Sequence, residues 1–388
     1  MEKASKTPWL ALSALMLGPF AFSTGAFVFG GLLAELAASL EVSLTAAAQL
    51  QTAFTLACAV GGPVLAIGLR SWDRRRLLIG VMIFLACIGA ASAMVSGYGA
   101  LLVVRVAGGF VGALTVPLAS TLAVSLVPEA HRGRALAVVS GGTALAFLVG
   151  IPVGSLFGGT FGWQAAFWFS GLLSLAIAGI IAFAVPNAAA PPPPQGAQQS
   201  PFAWPLTGLY GATLLGFVAT FSTVGLIGPL ITALTGLSGG AVGALQVLIG
   251  LGSVAGLALG AALAERRGPA SLLPLFVVMA MGQGVYVLAL GIGAEGAKGL
   301  ALFALGTVPG AAALFATFPV VATVIAARAG RAATLAFAIN GATIFAGQGL
   351  GVLLGSVGFG IAGLLGAALC GLAVALIGVG FALRLRDV

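Results

Sequence analysis

Charge is scarce in this sequence. Of 388 residues, 16 are Lys or Arg and 8 are Asp or Glu, so charged side chains make up only 6%. A soluble domain of ordinary composition carries about 25%, and a water-facing surface cannot be covered with so few. That excludes a conventional soluble fold. Histidine occurs once, at His131, and cysteine three times, at Cys58, Cys87 and Cys370. The cysteines lie singly in apolar runs, without metal-site or disulfide spacing, and read as small hydrophobes. No nucleophile–base pair or metal constellation is visible, so neither catalysis nor a cofactor is expected. The formal charge of +8 would suggest nucleic acid in a soluble chain. Here the basic residues flank apolar runs, and no nucleic-acid partner is expected.

What is abundant is apolar. Apolar residues make up 60% of the chain, glycine contributes 60 positions, and the mean hydropathy is +1.19. Lipid is the solvent that suits such a surface, and small residues let membrane helices approach closely. A spanning helix needs about 20 apolar residues. Cutting the chain at charges, prolines and Gly-rich turns predicts twelve: 8–34, 44–69, 77–96, 99–127, 135–158, 163–185, 204–234, 240–264, 270–292, 299–326, 332–356 and 359–383. The cuts at Gly97–Gly99 and Gly358–Gly360 leave very short turns. Lys3 and Lys6 precede the first run, which is long enough to span and is read as a retained helix.

Basic residues orient the spans. With the N-terminus inside, every Lys and Arg except Arg105 and Lys298 falls in a cytoplasmic segment, as the positive-inside rule requires. Both termini are expected to be cytoplasmic. The uncharged, Pro-rich segment around Pro186–Pro201 cannot be a membrane helix and reads as an extended linker. The expected organisation is a six-helix bundle over 1–185, a cytoplasmic linker over 186–203 and a second six-helix bundle over 204–388. The halves look related. Phe22-Ser23-Thr24 has a counterpart in Phe221-Ser222-Thr223. An offset of 195 pairs Ser43 with Ser238, Gln51 with Gln246 and Gly61 with Gly256, and sets Arg70 opposite Glu265.

Two motifs stand out. The first is Arg105 followed by Gly108, Gly112 and Pro117: an Arg inside a span, then glycines four apart on one helix face. The second is Gly150-Ile-Pro152-Val-Gly154, preceded by Gly141-Gly142. Pro152 removes a backbone hydrogen bond, and the glycines thin one face, so this helix is expected to bend or rock against a neighbour. The Phe161–Phe167 stretch reads as an outer turn with an interfacial Trp163.

These stretches resemble the major facilitator superfamily, in particular its twelve-span drug:proton antiporter branch. The first motif is similar to that branch's fourth-helix pattern and the second to its fifth-helix antiporter motif. Pro128–Ala135 resembles the loop between them, and Ala338–Gly349 the eleventh helix. The resemblance implies an all-α polytopic fold of 12 transmembrane helices in two six-helix bundles, working by alternating access around a midplane site. Two departures accompany it. In the loop between spans 2 and 3, Arg70 stands where the family has Asp and Ser71 where it has a basic residue. Asp73, beside Arg74 and Arg75, is the candidate substitute; Glu265-Arg266 keeps the acidic–basic order in the second half. Ala26 stands where many relatives carry Glu.

The charge census bears on mechanism. All eight acidic residues (Glu2, Glu35, Glu41, Asp73, Glu129, Glu265, Glu295, Asp387) fall in predicted loops or at helix ends. A proton carrier of the usual intramembrane kind is therefore missing, and cationic substrates are disfavoured. Arg105 is either a structural strut or an anion-binding or coupling group. The other candidates for binding or coupling are Thr24, Gln51, Thr115, Thr143, Thr223, Gln246, Asn340 and Gln348, with Ser23 and Gln283. Phe20, Phe22, Phe27, Phe54 and Phe147 are candidates for an apolar pocket.

The expected function is secondary active transport across a bacterial inner membrane. Export, with protons or a counter-anion as partner, follows from the resemblance. The preference for a small neutral or anionic, fairly apolar substrate follows from the census. The alternatives are a facilitative carrier or anion exchanger using Arg105, and a receptor that does not transport. The expected partners are a small-molecule substrate and the lipid bilayer, with the protein a monomer.

Overall fold

The computed structural model describes residues 9–69, 71–128, 131–186, 206–329 and 333–385. Among the described residues the fold is all-helical: twelve transmembrane helices form two six-helix bundles. We label them α1 (Trp9–Ser39), α2 (Leu44–Gly68), α3 (Arg74–Met94), α4 (Tyr98–Ser125), α5 (Arg132–Phe161), α6 (Trp163–Ala184), α7 (206–235), α8 (240–267), α9 (Leu272–Gly291), α10 (Gly296–Arg328), α11 (333–361) and α12 (364–385). Successive helices alternate in direction. Trp9 and Leu385 thus lie at one end, here the near end, and the turns at 40–43, 236–239 and 362–363 at the far end. Arg70 and Glu129 lie outside the described residues, as does all of the expected linker but Pro186.

Glycine backbone geometry sets two of the turns. Gly268 (φ 52°) separates α8 from α9, and Gly363 (φ 61°) separates α11 from α12. The second break corrects the expected cut at Gly358–Gly360. Those residues stay helical, and Gly358 packs against the backbone of Gly366 in the returning helix. Only at Gly363 does the chain adopt a conformation from which an L side chain is sterically barred.

The turn after α1 uses a less suitable residue. Val42 N–H donates to Ala37 O (3.0 Å) and Glu41 N–H to Ala38 O (3.3 Å), the paired bonds of a Schellman cap. The left-handed position is held by Glu41, at φ 53°. A side chain there costs about 1 kcal/mol relative to glycine. Glu41→Gly is expected to raise the thermal midpoint of the purified protein, read by a melting scan in detergent. A lower midpoint would mean that the Glu41 side chain is itself a needed contact.

Large apolar side chains face outward, among them Phe183 and Ile361, 90% and 81% exposed, which is the surface lipid requires. Trp163, the first residue of α6, follows the turn at Gly162 (φ 92°) and is buried, edge-on to Phe167. The sequence repeats occupy equivalent contacts: Gly61 of α2 lies on the backbone of Phe110 in α4, and Gly256 of α8 on that of Ala312 in α10.

Helices α1, α4 and α5 are interrupted, and the break in α5 falls where its Gly/Pro motif predicted a bend. α1 breaks after Phe27 and resumes as a short tight turn at Gly30–Leu32. α4 breaks between Gly112 and Thr115, where Pro117 leaves Ala113 O without its usual donor. In α5 the segment Ala146–Gly150 is a π-turn directly ahead of Pro152, whose ring would clash with Leu148 O in a regular helix.

Candidate substrate cavity

α1 and α5 run parallel and pack along a stripe of glycines. Cβ atoms at Gly142, Gly150, Gly154 and Gly158 would collide with Met16, Thr24, Val28 and Leu32 respectively. Each pair has the same offset of 126 residues. Both motif glycines, Gly150 and Gly154, belong to this stripe. In the first motif, Gly108 packs against Ile88 and Phe54, and Gly112 against Phe22 and Leu85. Pro117 is exposed.

The break in α1 leaves carbonyls without helical donors. Arg105 supplies two of them: Nη1 donates to Gly25 O (2.9 Å) and Nη2 to Ala26 O (2.7 Å). Ser155 Oγ donates to Val28 O (2.8 Å). The guanidinium stacks near Phe54 (4.1 Å to the ring centre), Phe29 (4.7 Å) and Phe167 (5.9 Å), and the residue is 2% exposed. A cation at the C-terminal end of a helical segment is also favoured by the helix dipole. Arg105 thus holds the kink of α1 to α4.

The two bundles meet tightly from mid-depth to the far end. Gly31 lies against Gln246 and Gly228 against the backbone of Gly30 and Gly31, joining α1 to α7 and α8. Gly240, Gly243 and Gly250 of α8 pack on Leu156, Ser155 and Leu148 of α5. Gln246 Nε2 donates to Ser155 Oγ (3.2 Å) across this seam. Contacts of this kind thin out toward the near end. Gly141 of α5 and Gly341 of α11 face open space where a Cβ would project.

Below the seam lie two adjoining small cavities of about 30 Å³ each. The first is lined by Phe27, Phe29, Gln51, Phe147, Phe221 and Gln246 with aliphatic neighbours. The second reaches into the second bundle, to Thr223, Met279, Gln283, Tyr286, Thr307 and Phe315. Both share Phe147, Phe221, Val224, Ile227 and Ile249. Gln283 Nε2 donates to Thr223 Oγ1 (3.2 Å), and the Tyr286 and Thr307 hydroxyls lie 2.7 Å apart. Among the described residues the carboxylates Glu35, Glu41, Asp73, Glu265 and Glu295 are all exposed, at helix ends or in turns.

The sequence candidates divide accordingly. Gln51, Gln246, Thr223 and Gln283 line the cavities, and Gln51 and Gln246, a repeat pair, line the same one. Thr24 is buried against Gly150 and bonds Phe20 O (2.8 Å). Thr115 is buried against Gly18, Gln348 is buried in α11, and Thr143 is half-buried. Asn340 Oδ1 accepts from Thr213 (2.9 Å). Arg105 lies outside both linings in this conformation, behind Phe29 and Phe54. Among the loop charges, Asp73 caps α3 by accepting from Arg76 N–H (2.8 Å), Arg75 donates to Ala182 O, Arg74 is half-buried and Glu265 is exposed. Sequence reasoning passed over Phe221, Tyr286, Thr307 and Phe315. Phe221 carried a signal, as the partner of Phe22 in the repeated triplet; the others sit in ordinary apolar runs.

Two helical bundles around a central, carboxylate-free cavity define a membrane transporter fold. The Major Facilitator Superfamily model matches residues 15–351, and the chain belongs to that family. A chloramphenicol resistance protein of Streptomyces lividans is 34% identical over 281 residues, covering 69% of this chain and 71% of its own. An uncharacterized MFS-type transporter of Bacillus subtilis (strain 168), YtbD, is 29% identical, covering 72% of each. Among solved structures, a bacterial homolog of the human lysosomal transporter Spinster, inward-facing and occupied, superposes with a TM-score of 0.77 at 18% identity, covering 99% and 98% of the two chains. A D-xylose–proton symporter superposes at 0.71 and 16% identity, covering 97% and 98%. These last two likenesses are of fold.

Proposed function

We propose that this protein exports a small, neutral, largely apolar compound from a bacterial cell by alternating access. The polarity of the cavities carries this reading. Their walls combine aromatic rings with amide and hydroxyl groups and present no carboxylate for a cation. The relative named for chloramphenicol resistance supports export, since chloramphenicol is itself a neutral aryl amide. The near end, with Arg74–Arg76, Arg132, Arg134, Arg266 and Arg267, is assigned to the cytoplasm of the inner membrane. The form described here, closed at the far end, is then inward-open. The two bundles, joined through the 186–203 segment, are the rocking units.

Expression in a susceptible bacterium is expected to raise several-fold the chloramphenicol concentration needed to stop growth, while leaving tolerance of the cation ethidium unchanged. Protection against ethidium alone would overturn the proposal. Uptake into proteoliposomes with and without a pH gradient tests coupling. Because the spans offer no carboxylate carrier, transport driven by an opposed anion gradient, without need of the pH gradient, is the expected result.

A further inference from the structure

The second cavity is walled mostly by one bundle, through α7, α9 and α10. Its polar groups belong to Thr223, Gln283, Tyr286 and Thr307, none more than 6% exposed. Gln283 and Tyr286 stand three residues apart on one face of α9. Their protons can be counted. The Gln283 amide carries two N–H groups and spends one on Thr223 Oγ1 (3.2 Å); Thr223 spends its own proton on Thr220 O (3.1 Å). Tyr286 and Thr307 have two O–H protons between them and share one bond of 2.7 Å. Whichever of the two donates, one hydroxyl proton and one amide proton are left without an acceptor among the described residues. Buried donors left so are destabilising, and persist where a bound molecule completes them.

The repeat shows where the space comes from. An offset of 198 sets Gly306 and Gly310 of α10 opposite Gly108 and Gly112 of α4, and Phe303 opposite Arg105. In the first bundle Ile88 and Phe54 fill in over Gly108, and Phe22 and Leu85 over Gly112. In the second, Gly306 meets the ring of Tyr286, but at Gly310 nothing lies within 4 Å of where a Cβ would stand. The small residues are repeated and the side chains that cover them are not. The resulting cavity holds about 30 Å³. A water needs roughly 10–15 Å³ of such space and about two to four polar partners.

We infer that the second bundle contains a built site for a bound water, between α9 and α10 beside the break of α7. The water oxygen accepts from the unspent Gln283 N–H and from the unspent proton of the Tyr286–Thr307 pair. A polar chain then runs from Thr223 of α7 through Gln283, the water, Tyr286 and Thr307 to α10. Thr223 and Gln283, candidates for solute binding or coupling from the sequence, serve this water instead. The first bundle ties its own broken helix directly, through Arg105; the second, with Phe303 in that place, does so through solvent.

The test uses the full-length protein in lipid nanodiscs. Short synchrotron X-ray pulses split water into hydroxyl radicals, and mass spectrometry reads which side chains gain oxygen. A scavenger in the bulk removes radicals made in solution and spares those made at a bound water. Met279 lines the cavity and is 2% exposed; Met82 of α3, 0% exposed, lines neither cavity and is the dry control. With scavenger present, Met279 is expected to be oxidised several-fold faster than Met82. Gly310→Val, which fills the space, is expected to bring Met279 down to the rate of Met82, and Gly310→Ala to lower it part of the way. Equal rates for the two methionines in wild type would overturn the inference. So would labelling of Met279 that disappears with the scavenger, since the cavity would then be reached from solution. A folded Gly310→Val that labels like wild type would overturn it too. If Gly310→Val does not fold, the wild-type comparison and Gly310→Ala decide.

Discussion

Arg105→Ala is expected to cost on the order of 4 kcal/mol and to abolish transport through loss of the folded protein. Truncation leaves Gly25 O and Ala26 O without donors, and each buried unpaired acceptor costs about 1–3 kcal/mol. It also opens a void among Phe29, Phe54 and Phe167, and large-to-small changes in a packed core cost about 2–5 kcal/mol. Those contributions overlap, so the lower part of their sum is the expectation. A melting scan in detergent reads it directly. Arg105→Lys keeps the charge but not the forked pair of donors, and should fall between wild type and Ala in stability. Were Arg105 instead an anion site, Arg105→Ala would keep its melting temperature and lose only transport. That result would refute the strut.

Gly250→Val is expected to empty the conformation described here. A Cβ at Gly250 would lie 2.1 Å from Leu148 Cα and 2.4 Å from Leu148 N, both backbone atoms. No rotamer change relieves such a clash, so α5 and α8 must part. The far-end seam then opens, and the population moves to states in which the bundles are separated there. A shift from nearly all closed to nearly all open needs about 5.5 kcal/mol, a reasonable scale for a backbone collision. Spin labels at Glu35 and Leu237, both exposed at the far end, report the change once Cys58, Cys87 and Cys370 are replaced. The expected distance distribution is longer in the variant. An unchanged distribution would mean the seam tolerates the side chain and is not close-packed.

Much of this architecture was legible in the amino-acid sequence, because lipid is an unforgiving solvent. The spans followed from apolar run lengths, glycine and proline; the breaks in α1 and α4 did not. The antiporter-like stretch around Pro152 marked a helix that is indeed interrupted. What sequence could not resolve was direction. Gly358 and Gly363 look alike as letters, yet only one turns the chain. Trp163 read as a turn residue, and its burial against Phe167 was not visible in the letters. Arg105 was undecided between strut and ligand group, since its partners are backbone carbonyls, which no side-chain pattern announces. Gln51 and Gln246 were equal candidates by repeat symmetry. The seam bond to Ser155 makes them different.

The constant offset between α1 and α5 sets a mechanical limit. At the same 126-residue spacing Gly150, Gly154 and Gly158 each receive a side chain and Gly142 the Met16 carbonyl, so the pair meshes like two toothed bars. Sliding by less than one tooth puts side chains into backbone. Sliding by a whole one, four residues, would be a displacement of about 6 Å. The pair is thereby locked in register against sliding. Whatever motion carries a solute across must pivot outside it, at the seams with α7 and α8.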